Sequence, residues 1–531
     1  MLSSVDRVRV DRLDFVGNTA FSDRDLLSSP LYVSAAATQP GGDAPTVASR
    51  LNRQLSLEEL EQIRVAVTLR YVNAGFINSG AVIDDQPVDP SGGNAIVIRI
   101  VEGRLAELNL TRPAGWNWLR DGYVTSRIDR ASAAPFNVLR LRDQLELLRQ
   151  DPRIDRINAE LRPGESPGEA LLDVAIEEAT PIHLGVRFSN RSPPSVGSER
   201  IDILAADDNL LGFGDSLALR YGLNKGDLDD WQWAGLDDFD LDYTLPVTPA
   251  DTTVSLAVSR SDSTLVEAPF DLLDLDTQST KYGLFVRHPL TRTPSKELAV
   301  FAGATVQHVR TRLAGERIDL SPGSVGGDSN VAAIRFGVDY SQRSADQAVS
   351  LRSTFSIGVD AFDATLNTGD TADSQFLAWL GQAQYVRRLG EGNAQVILRG
   401  AAQLTPDSLL PAEQFAIGGM DTVRGYRENT LVRDNGIVAT AELRLPLLSR
   451  QAGQIPVLTL APFVDAGYGF NRDQRPVGEF LISVGAGLIF TPSDHVDARV
   501  YYGQKLNDIV DDGDDNLQDM GIHFSVEIRA F

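Results

Sequence analysis

Few residues of this 531-residue chain are placed to do bond chemistry. His183, His288, His308, His495 and His523 are scattered, with no pair at metal-ligand spacing. Cysteine is absent, which removes disulfides and thiolate sites. No Gly-x-Ser-x-Gly elbow occurs. Gly485-Ala486-Gly487 lies inside an alternating apolar run and is no phosphate loop. Asp511, Asp512, Asp514 and Asp515 miss the hallmark positions of a calcium loop and read as a solvated loop. No catalytic residue, metal or cofactor is therefore expected. Two carboxylates, Glu442 and Asp465, could hold a guanidinium, and Arg424 is a loop arginine. The planar fork of arginine bonds carboxylates bidentately. Gly425 would allow a tight turn beside it. A loop arginine is most often solvated, so spacing alone favours water as its partner.

The elements that must position these groups are strands. After Pro181 helical stripes give way to alternation. Val349, Leu351, Phe355, Ile357 and Val359 alternate with polar residues. Phe480, Ile482, Val484, Ala486, Leu488 and Phe490 alternate with small ones, and Val254, Leu256 and Val258 repeat the pattern. One apolar face and one polar or small face suits a barrel with lipid outside and water inside. About sixteen such segments run to the end of the chain, so a transmembrane barrel of about 16 antiparallel strands is expected from 181 to 531. A soluble sandwich or propeller also alternates, but the Gly- and Ser-rich polar face and the long segments favour the barrel. Asp465 shares its phase with Phe463 and Gly467, opposite the apolar Val464, Ala466 and Tyr468. Glu442 and Arg444 oppose Ala441, Leu443 and Leu445. Both acids are thus expected to face the lumen. Leu211 to Asp215 reads as a tight turn; Asp227–Asp240, with Trp231 and Trp233, Arg312–Asn330 and Asp508–Asp519 read as long loops.

The first 180 residues mix helix and strand. Val8 and Val10 share one strand phase and Leu13 and Phe15 the other, which calls for either a bulge between them or a different strand boundary. Ser56 and Glu59 form a capping box for a helix with Leu60, Ile63, Val67 and Tyr71 on one stripe, ended by Gly75. Strands are expected near Ile77–Ile83 and Ala95–Val101. A second helix starts after Asn137 and carries Leu141, Leu145 and Leu148. Two small α+β units, 1–104 and 105–180, are the economical reading. The net charge of -24 excludes a nucleic-acid partner. No apolar run is long enough for a membrane helix. Met1 and Leu2 lead into polar sequence, so an exported chain would be the mature form with its signal removed.

Gly418-Gly419-Met420-Asp421-Thr422-Val423-Arg424-Gly425-Tyr426 resembles the VRGY signature on the sixth extracellular loop of two-partner secretion transporters (TpsB proteins) and their barrel-assembly relatives. It falls between the eleventh and twelfth strands. Phe463-Val464-Asp465-Ala466-Gly467 resembles the family's FxDxG motif on the thirteenth. Glu442 to Leu447 is similar to its acidic twelfth-strand segment. Val101 to Arg104 resembles the end of a first POTRA domain, Pro135-Phe136-Asn137 and Leu161 to Gly164 resemble marks of a second, and Asn209 to Asp215 resembles the first periplasmic turn. The resemblance implies two periplasmic POTRA domains, an outer-membrane pore and a sixth loop (about 405–434) folded inward, where Val423, Arg424, Gly425 and Tyr426 dock on Asp465 and Glu442. In a partly wet lumen that ion pair is expected to be of modest worth. It further implies export of a large TpsA-like exoprotein, met through its N-terminal secretion domain, by a monomer in Gram-negative outer-membrane lipid. Biogenesis would use the barrel-assembly machinery, with Phe531 as the assembly signal, although Ile522, Phe524, Val526 and Ile528 hold the other phase. The family's N-terminal plug helix has no counterpart from residue 1 onward and is expected ahead of it or missing. An insertase of the same superfamily and, further off, a passive porin are the alternatives.

Overall fold

The computed structural model describes residues 1–31, 45–89, 93–115, 117–225, 233–267, 274–390, 392–449, 456–472, 480–507 and 516–530. Trp231, the acidic run from Asp511 to Asp515 and Phe531 lie outside the described residues. The chain forms two units, Met1–Ala179 and Thr180–Phe531.

The first unit holds two α+β sheets. In the first, strands run in the order Arg53–Ser56, Arg7–Val16, Asn94–Val101, Gly80–Val82. Val8, Val10, Leu13 and Phe15 are all buried because the register shifts between Val10 and Arg12, so the phase break is a bulge and not a strand boundary. Helix Leu57–Asn73 begins with both halves of the Ser56–Glu59 capping box and buries Leu60, Ile63, Val67 and Tyr71 against that sheet. Gly75, at φ +94°, lets the chain leave the helix. The strand expected near Ile77–Ile83 shortens to Gly80–Val82, because Ser79 N–H closes a turn onto Phe76 O. The second sheet places Glu169–Glu178 between Arg104–Thr111 and Ile154–Pro163. Helix Val138–Arg149 is capped by Asn137 Oδ1, which accepts from Leu139 N at 2.9 Å. Helix Asp121–Ala131, not anticipated, completes this core with Val124 and Ile128.

The second unit is a closed barrel of sixteen antiparallel strands. They are β1 (Ile182–Ser189), β2 (Arg200–Asp207), β3 (Ser216–Lys225), β4 (Trp233–Pro246), β5 (Thr253–Thr264), β6 (Leu275–Thr293), β7 (Lys296–Leu313) and β8 (Val331–Arg343). Then follow β9 (Gln347–Gly358), β10 (Leu377–Leu389), β11 (Ala394–Leu404), β12 (Asn435–Ser449), β13 (Pro456–Phe470), β14 (Phe480–Ser493), β15 (Val496–Lys505) and β16 (Ile522–Arg529). β16 pairs with β1 from Ser525↔Ser189 to Arg529↔Gly185, so the ladder has no open edge. Closure is what lets strands cross lipid, since every backbone group must be paired internally. The outer face is apolar: Leu284 on β6 and Val464 on β13 are 54% and 49% exposed. Exposure on that scale all round a barrel calls for lipid as the solvent.

Short turns mark one rim. Pro294-Ser295 joins β6 to β7 and Asp494-His495 joins β14 to β15. The turn before β3 is built by its own side chains: Asp215 accepts from Leu211 N–H, Asn209 Oδ1 accepts from Gly214 N–H, and Gly212 and Gly214 sit at positive φ. β1 starts and β16 ends at this rim. The opposite rim carries long loops, including 314–330, 359–376 and 405–434.

One expectation is corrected here. Asp227–Asp240 is not a loop throughout, because β4 already runs from Trp233. Asp238 and Asp240 belong to its lumen face, where Arg220 pairs with both, and Arg200 joins Asp238. Aspartate is poor in a solvated strand, but here each acid meets a guanidinium from β2 or β3.

Candidate functional site

The sixth loop leaves β11 at Leu404 and returns to β12 at Asn435. It folds into the barrel. Phe415–Ile417 and Leu431–Arg433 pair as a short hairpin that holds the tip. Ile417, Val423, Tyr426 and Leu431 are buried together with Val438 of β12 and Leu481 of β14. Burying such side chains is worth roughly 1.5–3 kcal/mol each, so the inward fold has an apolar basis before any charge is counted. Gly467 makes room for it: a Cβ there would lie 2.5 Å from Ile417 Cγ2 and 3.0 Å from Val423 Cγ2.

Arg424 sits at the tip. Its Nε donates to Asp465 Oδ2 at 2.8 Å and its Nη2 to Oδ1 at 2.9 Å, while its backbone N–H donates to Oδ2 at 3.1 Å. Its Nη1 donates to Glu442 Oε2 at 2.5 Å. Both acids face inward as alternation predicts. Glu442 pairs in register with Phe463 and Thr440 with Asp465, so the two acids are diagonal neighbours across β12 and β13, within reach of one fork. Glu442 Oε1 accepts from Arg444 Nε at 2.8 Å. A third guanidinium, that of Arg399, stands 4.0 Å from Glu442 Oε2, so the two carboxylates meet three arginines. The Arg424 guanidinium lies 3.6 Å from the Phe463 ring centroid and 4.8 Å from that of Tyr501.

The pair is drier than expected. The Arg424 side chain is 4% exposed and both carboxylates are 0% exposed. The loop's own apolar residues and the two rings exclude water from a lumen otherwise lined with charge. Removing one partner of such a pair costs about 3–5 kcal/mol, because a buried charge is left behind.

Val423, Arg424, Gly425, Tyr426, Glu442, Phe463, Asp465 and Gly467 thus converge on one place. The Tyr426 hydroxyl lies 3.0 Å from Ile482 O and 2.7 Å from Asn507 Oδ1. Phe531 is outside the described residues.

Sequence reasoning missed the rest of the loop's hold. Glu413 at its base pairs with Arg335 of β8 at 2.5 Å. Arg427 pairs with Asp519, and with Glu267 at 2.8 Å. Glu428 N–H donates to Gln518 Oε1 at 2.8 Å, and Gln518 Nε2 donates to Asn190 O and Ser192 O. These are long-range pairs with no local spacing to mark them. Among the described residues no group of His, Asp and Glu could hold a metal ion, and no helix is long and apolar enough to cross a membrane.

Comparison with known proteins gives the same outline. The family described as haemolysin secretion/activation protein ShlB/FhaC/HecB matches residues 168–490, more than half of the chain. A POTRA domain of ShlB type matches residues 43–103. The outer membrane transporter CdiB of Dickeya dadantii is 26% identical over 439 residues, 80% of this chain and 73% of the relative. The heme/hemopexin transporter protein HuxB of Haemophilus influenzae is 22% identical over 485 residues, 87% of this chain and 80% of the relative. Among solved structures, CdiB from Escherichia coli superposes with TM-score 0.74 at 20% identity, covering 99% of this chain and 91% of that one. BamA from Haemophilus ducreyi lacking POTRA domains 1–3 gives TM-score 0.55 at 12% identity, a likeness of fold.

Proposed function

Because this chain belongs to the haemolysin secretion/activation family, the two-partner secretion transporters of the outer membrane, we propose that it is the translocation pore for one large cognate exoprotein. It is an outer-membrane transporter with a β-barrel and periplasmic POTRA domains, and its family is one of secretion channels rather than enzymes. The finer reading is ours. Residues 1–104 and 105–180 are two POTRA units that receive the unfolded partner through its N-terminal secretion domain, by adding an extended segment to a free sheet edge. Residues 181–531 are the pore. Arg424, Asp465 and Glu442 are the lock that holds the sixth loop in the lumen. With the lock made, docked and released loop are two discrete states. Without it the loop samples the lumen and obstructs the path.

The observation that carries this reading is the dry pair of Arg424 with Asp465 and Glu442 inside a barrel of this family. The test is co-expression with a large exoprotein that carries an N-terminal two-partner secretion domain. The exoprotein should reach the medium only when this chain is present. An exoprotein that stays in the periplasm in its presence would refute the pairing. If cells lacking the chain instead lose other outer-membrane barrels, the insertase reading takes its place.

A further inference from the structure

The ion pair is not all that holds the tip. Beyond Arg424 the loop rests its backbone on β15 and β16. Gly425 stands at φ +95°, and a Cβ there would lie 2.6 Å from Gly503 O. A Cβ on Gly503 would lie 2.8 Å from both C and O of Arg424. Gly521 completes the surface: at φ +75°, its own Cβ would fall 2.2 Å from Gly503 O, and Gly503 N–H donates to Gly521 O at 2.8 Å. Three residues without side chains thus let loop backbone lie directly on wall backbone. His523 sits beside them, fully buried, and its Nε2 accepts from Gly425 N–H at 3.1 Å. An accepting Nε2 places the ring's proton on Nδ1. Nδ1 has no partner among the described residues, so the bond to Gly425 is the ring's polar contact.

We infer that Gly503, Gly521 and His523 form a second dock for the sixth loop, a backbone seat on β15–β16 that holds the tip independently of the Arg424 lock on β12–β13. His523 is a positioning residue: it fixes the Gly425 peptide, and through it the direction from which Arg424 reaches its carboxylates. The seat is a matter of shape and one hydrogen bond, whereas the lock is a matter of charge. Charge substitutions should therefore loosen the lock and spare the seat. Loss of the lock should shift the tip toward release, and loss of the seat as well should shift it further. This inference concerns where the loop sits. It is tested on purified protein with no cargo, so its failure and that of the transport reading can be told apart.

The absence of cysteine supplies the probe. Val423→Cys puts one thiol at a buried position beside the tip, and its rate of reaction with a maleimide in detergent reports how often the tip leaves the wall. Only the heat-modifiable, folded fraction is scored. With Arg424→Ala the rate should rise but stay well below that of the unfolded chain. Adding His523→Phe, which keeps a ring and removes the acceptor, should raise it a further fivefold or so, about the factor for one buried hydrogen bond. His523→Gln, which returns an acceptor at similar reach, should recover most of that loss. Gly503→Ala should speed labelling with Arg424 intact, since the new Cβ meets the loop and Gly503 is not at positive φ. The inference is overturned if Arg424→Ala alone labels as fast as the double variant, if His523→Gln behaves like His523→Phe, or if Gly503→Ala labels at the parent rate.

Discussion

Asp465 takes three hydrogen bonds from Arg424, two from the guanidinium and one from the backbone N–H, so it holds both the side chain and the turn that presents it. Lysine in place of Arg424 could keep the charge and the backbone bond but not the bidentate contact. The contact joins an extracellular loop to the wall of β13, and the predictions below test it and the frame around it.

The outer face of the barrel should behave as a lipid surface. Leu284 is the middle residue of β6 and points outward. Leu284→Arg should destabilise the folded barrel by about 2–4 kcal/mol in lipid vesicles, the cost of a basic residue near the bilayer midplane, while Leu284→Phe should be close to neutral. Urea unfolding followed by gel mobility measures both. An Arg variant as stable as the parent would mean that this face does not meet lipid.

The barrel unit should stand without the first unit. Deleting residues 1–180 should leave an inserted barrel that conducts ions in planar bilayers and exports nothing. Secretion assays and bilayer conductance, run on the same preparation, read the two halves of this expectation. Normal secretion by the shortened chain would remove the first unit as the docking site.

Acid should loosen the first α+β unit at Glu102. Burial alone would raise the pKa of this carboxyl. Hydrogen bonds from Thr19 Oγ1, from the N–H groups of Ala20 and Thr19 at 2.8 and 2.7 Å, and from the Tyr71 hydroxyl outweigh it and hold the pKa below its usual value. A carboxyl with a depressed folded pKa stabilises the fold above its unfolded pKa, and that contribution is lost as pH falls through the folded value. Amide protection at Thr19 and Ala20, corrected for intrinsic exchange, should therefore hold near neutral pH and fall in acid. Glu102→Gln should lose about 1 kcal/mol of that protection at neutral pH and flatten its pH dependence. An unchanged acid profile in the Gln variant would assign the effect elsewhere.

Much of the site can be read from alternation. Asp465 and Glu442 are hydrophilic steps in otherwise apolar strands, and a period of two sends them inward. The phase break between Val10 and Leu13 likewise marks the bulge. What could not be read has a common cause. Asp238 and Asp240 look like loop acids until Arg200 and Arg220 arrive from neighbouring strands. His523 looks like one more scattered histidine, and its bond is to a backbone N–H 98 residues away. Gly503 and Gly521 resemble any small residue of a barrel strand or loop end, because what they contribute is the absence of a side chain at one contact. The dryness of the ion pair was equally hidden, since it depends on Val423, Tyr426, Phe463 and Tyr501 closing over charges from the loop tip, β12 and β13.

The central claim is that Arg424 and Asp465 act as one lock on secretion. The direct measurement is a double-mutant cycle on exoprotein released to the medium, with Arg424→Ala, Asp465→Ala and the double variant at matched outer-membrane levels. Each single change breaks a buried pair at a cost of about 3–5 kcal/mol, comparable with the roughly 5.5 kcal/mol that separates a 1:99 from a 99:1 population. Each should therefore cut secretion about tenfold or more while the barrel still inserts, and Arg424→Lys should recover only part of it. The double variant should be little worse than either single one, because both remove the same interaction. Strictly additive losses would show that the two residues act separately and would contradict the lock.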